Sequence, residues 1–587
     1  MDATRTHTCG ELRAEMDGTE TLLMGWVHRM RDQGGIVFLD LRDRFGMTQV
    51  VVEPNGPVSL EKAREFKREY VAAVRGRVRR RPANMVNENL GTGAIEVVAE
   101  EITLLNKCKT PPFVIEDETD ASEEVRLQYR FLDLRRHRMQ ETIELRHRAS
   151  QAGRKYLSEH GFLEIETPLL VRNSPEGARD FLVPSRLWPG KFYSLPQSPQ
   201  IYKQMLMISG CDRYFQFAKC LRDEALRADR QPEFTQIDIE MSFTTESQVF
   251  EIMEGLMTTI LKDGAGIEVK HPFPVLSYHD AMERYGSDKP DTRFEMELID
   301  VGEMAAASEF RAFKTVLEGG GTVRALVVPG GATFSRKEID NLEAHAKTHG
   351  AAGLAWCKVK GGELEGGVGR FFDAAAVIEA TGAGDGDLVT MVAGPYRSAL
   401  NSLGAVRLLL GNKLDLIDKD AWNFLWVNRF PLFDWDEEEN RWEPAHHMFT
   451  MPYADEIEYL ETDPGKVHGQ LYDMVLNGWE IASGSIRCHD PEIQRRIMAV
   501  VGIKGKDADE RFGFMLNALA YGAPPHGGIA FGWDRVITLL SGFDSIRDVI
   551  PFPKTTSGIS LMDGSPSVID HELLDDLQLA VSKKKKD

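Results

Sequence analysis

Apolar and polar residues alternate through most of the first hundred positions. Residues 20–30, 35–44 and 47–53 carry the period-two pattern of strands, the stretch from Leu60 to Tyr70 reads as helical, and alternation returns at 71–80 and 94–105. Three strands, a helix and two strands is the order of an OB-fold barrel. In the second strand Val37, Leu39 and Leu41 are predicted to point inward, leaving Phe38, Asp40 and Arg42 on the open face. An aromatic ring among charges suits stacking on unpaired bases. Simple packing of Phe38 under a loop is the alternative.

Beyond the barrel the pattern breaks at Lys109-Thr110-Pro111-Pro112 and an acidic run from Glu116 to Glu124, which read as a linker. A helix is expected from about Glu141 to His160. Later, Phe234, Gln236, Asp238 and Glu240 share one face of an alternating strand. The segment Tyr472 to Glu480 reads as a buried strand interrupted by Asn477-Gly478, a hairpin signal. Between these lies a stretch of mixed helix and strand patterns with glycine clusters at 319–321, 330–331 and 361–362, and no chemical motif. The expected organisation is a barrel at 1–108, a linker at 109–140, a core unit at 141–294 and 421–562, an insertion at 295–420 and an extension at 563–587. The lysine run 583–586 reads as a solvated tail. The fold class is therefore multidomain α+β.

Composition narrows this little. A chain of 587 residues, 42% hydrophobic and 27% charged, exceeds a single core and fits a globular protein of several domains. No apolar run nears bilayer length, and Met1 to His7 lack a signal core, so a cytoplasmic, non-membrane protein is expected. Six scattered cysteines form no CxxC pair, which argues against zinc and disulfides. The net charge of −21 argues against a polyanionic partner, but residues 1–109 hold 17 Lys+Arg against 16 Asp+Glu. The acidity lies elsewhere, and RNA binding would depend on local basic patches.

Candidate chemistry concentrates in two distant segments. Arg222 to Glu240 begins as a loop with three arginines and ends as the alternating strand, while Gly527 to Arg535 combines small residues with an arginine at the start of an apolar helix. Guanidinium forks grip phosphate, and an aromatic face with a guanidinium plane suits adenine, so the pair points to ATP. No GxxxxGK[ST] phosphate loop occurs, nor the HIGH and KMSKS signatures.

These two segments resemble motifs 2 and 3 of class II aminoacyl-tRNA synthetases, most closely the bacterial aspartate–tRNA ligase type. Gly161 to Pro168 resembles motif 1, whose proline lies at a dimer interface in that family. Arg130 to Arg136, Ser174 to Phe181 and Gly286 to Asp291 are further matching segments. The resemblance implies a homodimer with an antiparallel catalytic sheet, using ATP and Mg2+ to activate L-aspartate for tRNA(Asp). Charging of both tRNA(Asp) and tRNA(Asn) is the alternative, and Gln33 holds a loop position associated with that choice.

Carried over by resemblance, Arg222 bridges the α-phosphate and substrate carboxylate, Glu224 contacts adenosine, and Phe234 and Arg535 enclose adenine. Asp473 and Glu480 are the metal-binding acids; their spacing would place them on opposite faces of a straight strand, so the hairpin must bring them together. Lys203 and Arg487 face the substrate side chain, with Asp238 holding one of them. Glu176, Ser198 and Gln200 lie near the ammonium group, and His446 and His447 near the substrate. Arg31, Phe38, Gln49 and Glu96 read the anticodon. Ala482-Ser483-Gly484 departs from the family pattern, where three glycines are usual, and its added side chains are expected to crowd a backbone that passes close to the substrate; Trp533 stands where a leucine is usual.

Overall fold

The computed structural model describes residues 4–173 and 178–582. Glu176 and the lysine run 583–586 lie outside the described residues. The chain divides into two compact units, 1–144 with 547–568, and 145–546 with 569–587.

The first unit contains a closed five-stranded barrel in the order Glu20–Gln33, Ile36–Asp43, Gly46–Val52, Ile95–Asn106, Val71–Arg80. Its inside is filled as the alternation predicts: Val37, Leu39 and Leu41 are fully buried beside Val27, Val50, Val74 and Val97. Phe38, Asp40 and Arg42 are only partly covered. The helix between the third and fourth strands shrinks to Leu60–Arg64, capped by the Ser59 hydroxyl. Residues 109–140 include two short helices, Glu123–Gln128 and Arg130–Asp133. The buried Arg130 guanidinium donates to the carbonyls of Arg547, Asp548, Ile550 and Pro551 and pairs with Asp133 at 2.5 Å.

The second unit is organised by an eight-stranded sheet: Val275–Ser277, Phe424–Asn428, Leu471–Leu476, Trp479–Ile486, His526–Gly532, Glu233–Ser242, Arg213–Leu221 and Leu163–Glu164. All neighbours run antiparallel except the two edge pairs. The helices Gln200–Ile208 and Trp533–Ser541 pack on the strand Glu233–Ser242. Both faces of that strand are therefore covered from Ile237 onward, so any charge there must be paired inside the protein. Residues 299–394 form a separate five-stranded antiparallel sheet, followed by the helix Tyr396–Lys413. No helix among the described residues is long and apolar enough to cross a membrane.

Two departures from the family pattern lie in the second unit. Trp533 is buried and meets Phe217 edge to face, with ring centroids 5.7 Å apart. Ala482 and Ser483 are accommodated in the sheet opposite Met474 and Asp473. The tight position is Gly484, where a Cβ would lie 2.3 Å from the Gly528 carbonyl and 2.6 Å from the Tyr472 ring.

Candidate active site

The buried strand places Asp238 and Glu240 on one face, and a helix and a neighbouring strand end supply cations to them. Lys203, one turn into Gln200–Ile208, sets its Nζ 2.6 Å from Asp238 Oδ1 and 3.2 Å from Glu240 Oε2. Arg487, just past Trp479–Ile486, donates from Nε and Nη2 to the two Glu240 oxygens at 2.9 and 3.1 Å. Its Nη1 donates to Ser485 Oγ at 2.6 Å and to His447 Nε2 at 3.1 Å. Arginine can only donate, so Nε2 accepts from it, while Nδ1 faces the Phe449 N–H at 3.2 Å and Thr450 Oγ1 at 3.5 Å.

The doubly cationic hole expected from Lys203 and Arg487 is thus a neutral quartet of two cations and two carboxylates. Asp238 holds Lys203, while Glu240 holds both cations. Their carboxyl groups respond oppositely. Burial pushes Glu240 up, but Arg487 and Lys203 outweigh it and hold the carboxyl down at about 2. At Asp238 burial wins and the carboxyl rises above its ordinary value, since Lys203 is its one direct cation. Asp238 Oδ2 and the Gln200 amide nitrogen are buried with no partner among the described residues. An acceptor and a donor left open beside the quartet suit a ligand carrying an ammonium and a carboxylate. Ser198 lies at the same helix start, its hydroxyl accepting from the Gln200 N–H at 3.3 Å. His446 is exposed, its ring edge-on to Phe430.

Glu240 is the residue that pattern reading left without a role. Its signal was present: two acids two residues apart in a strand whose other positions, Ile237, Ile239 and Met241, are apolar. The partner lies 247 residues away, beyond the reach of any local period.

At the other end of the same strand the nucleotide-type residues gather. Phe234 pairs in register with Cys220, and Arg222 extends over its ring, with Cζ 5.1 Å from the centroid. The Arg222 Nε is buried without a partner among the described residues. On the other side Gln236 pairs with Gly532, so the helix bearing Arg535 starts next to Phe234. Arg535 donates from Nη1 to the Glu480 carbonyl at 3.0 Å and from Nη2 to Asp229 Oδ2 at 3.2 Å. Glu224 accepts from Arg230 Nη1 at 3.3 Å.

The Asn477-Gly478 hairpin forms as predicted, both residues taking positive φ, 52° and 82°. Val475 opposes Glu480 and Asp473 opposes Ser483, with a bulge between. Asp473 and Glu480 therefore share a face, as metal ligands must. Burial, and next the Glu480 charge, push the Asp473 carboxyl well above the usual carboxylate range, while a hydrogen bond from Ser483 opposes this. Asp473 Oδ1 has no partner among the described residues. Two hard oxygen donors with one left open fit a small divalent cation that shares its remaining positions with phosphate and water.

In the barrel unit the predicted anticodon residues also meet. Arg31 pairs in register with Phe38, and its guanidinium lies 5.7 Å from that ring. Its Nη2 donates to Asp40 at 2.9 Å and to Gln49 Oε1 at 3.2 Å. Gln49 donates onward to Glu96 Oε2 at 3.1 Å, and Arg79 donates to Glu96 Oε1 at 2.6 Å. Asp40 and Arg79 brace this face and were not singled out from the sequence. Gln33 is exposed at the strand end, opposite Ile36.

Residues 122–556 match the family described as tRNA synthetases class II (D, K and N). The chain belongs to that family. Residues 21–105 of this synthetase match the OB-fold nucleic acid binding domain. Over 585 residues it is 51% identical to the aspartate–tRNA(Asp/Asn) ligase of Treponema denticola, covering 99% of each chain. It is 52% identical to the ligase of the same description from Nitratidesulfovibrio vulgaris, covering 98% of this chain and 94% of the relative. Among solved structures, asparaginyl-tRNA synthetase from Pyrococcus horikoshii with asparaginyl-adenylate aligns with a TM-score of 0.59 at 20% identity, over 94% of this chain and 98% of that one. At that identity the likeness concerns the fold.

The protonation state of the synthetase's pocket histidines has a measurable consequence. Burial first, then Arg487, holds His447 well below its ordinary value, and burial also lowers His526. Both rings hold their neutral form to lower pH in the fold than in the unfolded chain, which takes up their protons below about pH 6.5. Stability contributed by these rings is full above that pH and falls on acidification, by at most about 1.4 kcal/mol per pH unit for a group. Urea unfolding at pH 7.5 and 5.5 should show the loss, and His447→Gln should reduce its slope. An unchanged slope in the variant would contradict a neutral His447.

Proposed function

We propose that this synthetase joins L-aspartate to ATP to form aspartyl-adenylate, then transfers the aspartyl group to the 3′ end of tRNA(Asp) and of tRNA(Asn). The observation that carries the choice of amino acid is the buried Lys203–Asp238–Glu240–Arg487 quartet. After their internal bonds Lys203 and Arg487 each keep one N–H, two donors that a side-chain carboxylate accepts, whereas an amide would turn its own NH2 against one of them. Asp238 Oδ2 is the acceptor for the substrate ammonium, with Ser198 and Gln200 at the neighbouring helix start, Glu176 is assigned to the same ammonium by resemblance alone, and His447 orients Arg487 by accepting from it.

Activation requires no protein nucleophile. The aspartate α-carboxylate attacks the α-phosphate, and pyrophosphate departs with the electrons of the broken P–O bond. Arg222 spans the attacking carboxylate and the α-phosphate, aligning two anions that otherwise repel. Phe234 and Arg535 hold the adenine, and Glu224 the adenosine. Asp473 and Glu480 would hold Mg2+, which when bound neutralises phosphate charge.

The dual tRNA range is supported by the full-length relatives described above, whose names specify tRNA(Asp/Asn). A homodimer built on the motif 1 segment is supported by the exposed apolar side chains Leu163, Leu169 and Leu170 flanking Pro168. A cytoplasmic location follows from the reaction, since its substrates are there.

The test is aminoacylation of the two purified transcripts. Comparable rates with aspartate are expected; a preference for tRNA(Asp) of a hundredfold or more would restrict the range to one tRNA. On the barrel, Phe38→Ala removes a stacking face and the ring beneath Arg31. It should raise KM for tRNA by about tenfold and leave aspartate-dependent pyrophosphate exchange unchanged. Loss of exchange would refute the division of labour between barrel and catalytic sheet.

A further inference from the structure

The segment Gly286 to Asp291 has so far received no task, yet it is held at both ends against the catalytic hairpin's surroundings. Gly286 ends the helix Tyr278–Tyr285 at φ 64°. A Cβ there would lie 2.2 Å from the Leu400 carbonyl, and one on Gly404 would lie 2.5 Å from the Gly286 carbonyl. The loop therefore starts in close backbone contact with Tyr396–Lys413. At its far end Asp291 is buried and clamps Arg293, accepting from Nε at 2.9 Å and Nη2 at 2.7 Å. Asp291 also seats on the hairpin turn: a Cβ on Gly478 would lie 3.1 Å from the Asp291 Cβ. Glu480 follows that glycine by two residues. The loop is further tied down by the Asn423 side chain, which donates to the Thr292 carbonyl at 3.0 Å while its N–H donates to Asn477 at 2.9 Å.

Between these anchors stands Lys289. Its backbone is fixed by the Ser287 hydroxyl, which accepts from its N–H at 3.2 Å. Its side chain is exposed and makes no hydrogen bond or ion pair among the described residues. The other cations around the nucleotide have work already: Arg222 lies on Phe234, and Arg535 is bonded to Glu480 and Asp229. The hairpin itself offers carboxyl groups, Asp473 and Glu480, rather than cations, so a side-chain cation for a departing polyphosphate must come from a neighbouring segment.

We propose that Lys289 binds the β- and γ-phosphates of ATP and the pyrophosphate they become, as a mobile point charge on a rigid loop. An ammonium on a flexible stem suits a leaving group that changes geometry as it separates.

The inference rests on the ATP-dependent activation proposed above, and pyrophosphate exchange separates the two. Lys289→Ala should raise KM for pyrophosphate and for ATP by about tenfold, leave KM for aspartate within about twofold, and keep the melting temperature of the parent. Lys289→Arg should recover most of the loss. Unchanged KM values for pyrophosphate and ATP in a variant of a parent that exchanges normally would overturn this role alone. An equal rise in KM for aspartate would overturn it too, by making Lys289 a general support of the pocket. A parent showing no aspartate-dependent exchange would instead overturn the activation reaction itself.

Discussion

Arg222→Ala is expected to lower aspartate-dependent ATP–pyrophosphate exchange by about a thousandfold or more. Removing one positioned donor from a reacting centre typically costs a hundred- to a thousandfold, and Arg222 serves two anions at once, so alignment is lost along with charge. Its Nε is buried with no partner among the described residues. A group left in that state gains its hydrogen bond when ligand arrives, which is where binding energy is released. The loss should fall on kcat as much as on KM, because the interaction tightens as negative charge collects on the α-phosphate. Arg222→Lys should restore little, since a single ammonium does not reproduce the fork. tRNA affinity should be unchanged. Exchange within tenfold of the parent would remove Arg222 from the reaction.

Glu240→Gln is expected to have the second largest effect, on stability and aspartate binding together. The substitution preserves shape but leaves Lys203 and Arg487 buried with one carboxylate between them, and breaking a buried pair costs about 3 kcal/mol or more. The pH dependence has a defined sign. Glu240 titrates at about 2 in the fold against an ordinary 4.5. Its stabilisation is therefore complete above about pH 4.5 and is lost as pH falls toward 2. Urea unfolding should show a parent-to-variant gap that is constant from neutral pH to about 5 and closes below that. A gap that vanished near pH 6, or no gap at all, would show that Glu240 does not hold the two cations. KM for aspartate should rise at least tenfold, with both cations free to swing from their set positions.

The two parts of the molecule differed in how far pattern alone reached. Period-two alternation placed every inward residue of the second barrel strand, because a half-buried strand has one dry face and the chain must match it. The Asn477-Gly478 turn was equally readable, since few residues accept positive φ at two successive positions. The helix expected from Glu141 begins earlier, at His137, as caps and charges at helix starts blur the boundary. The charge pairings were the hard part. Glu240 with Arg487 joins parts of the sheet whose adjacency is decided by the whole fold. Local spacing names the acids and bases but not which of them meet.

Exchange of pyrophosphate into ATP, run on the parent enzyme with aspartate and in parallel with asparagine, tests the central claim most directly. The two ligands differ only in whether the side chain carries a charge. A pocket built around Lys203 and Arg487, each already fixed by a buried carboxylate, should support brisk exchange with aspartate and only background with asparagine. Equal rates with the two, or activity confined to asparagine, would contradict it.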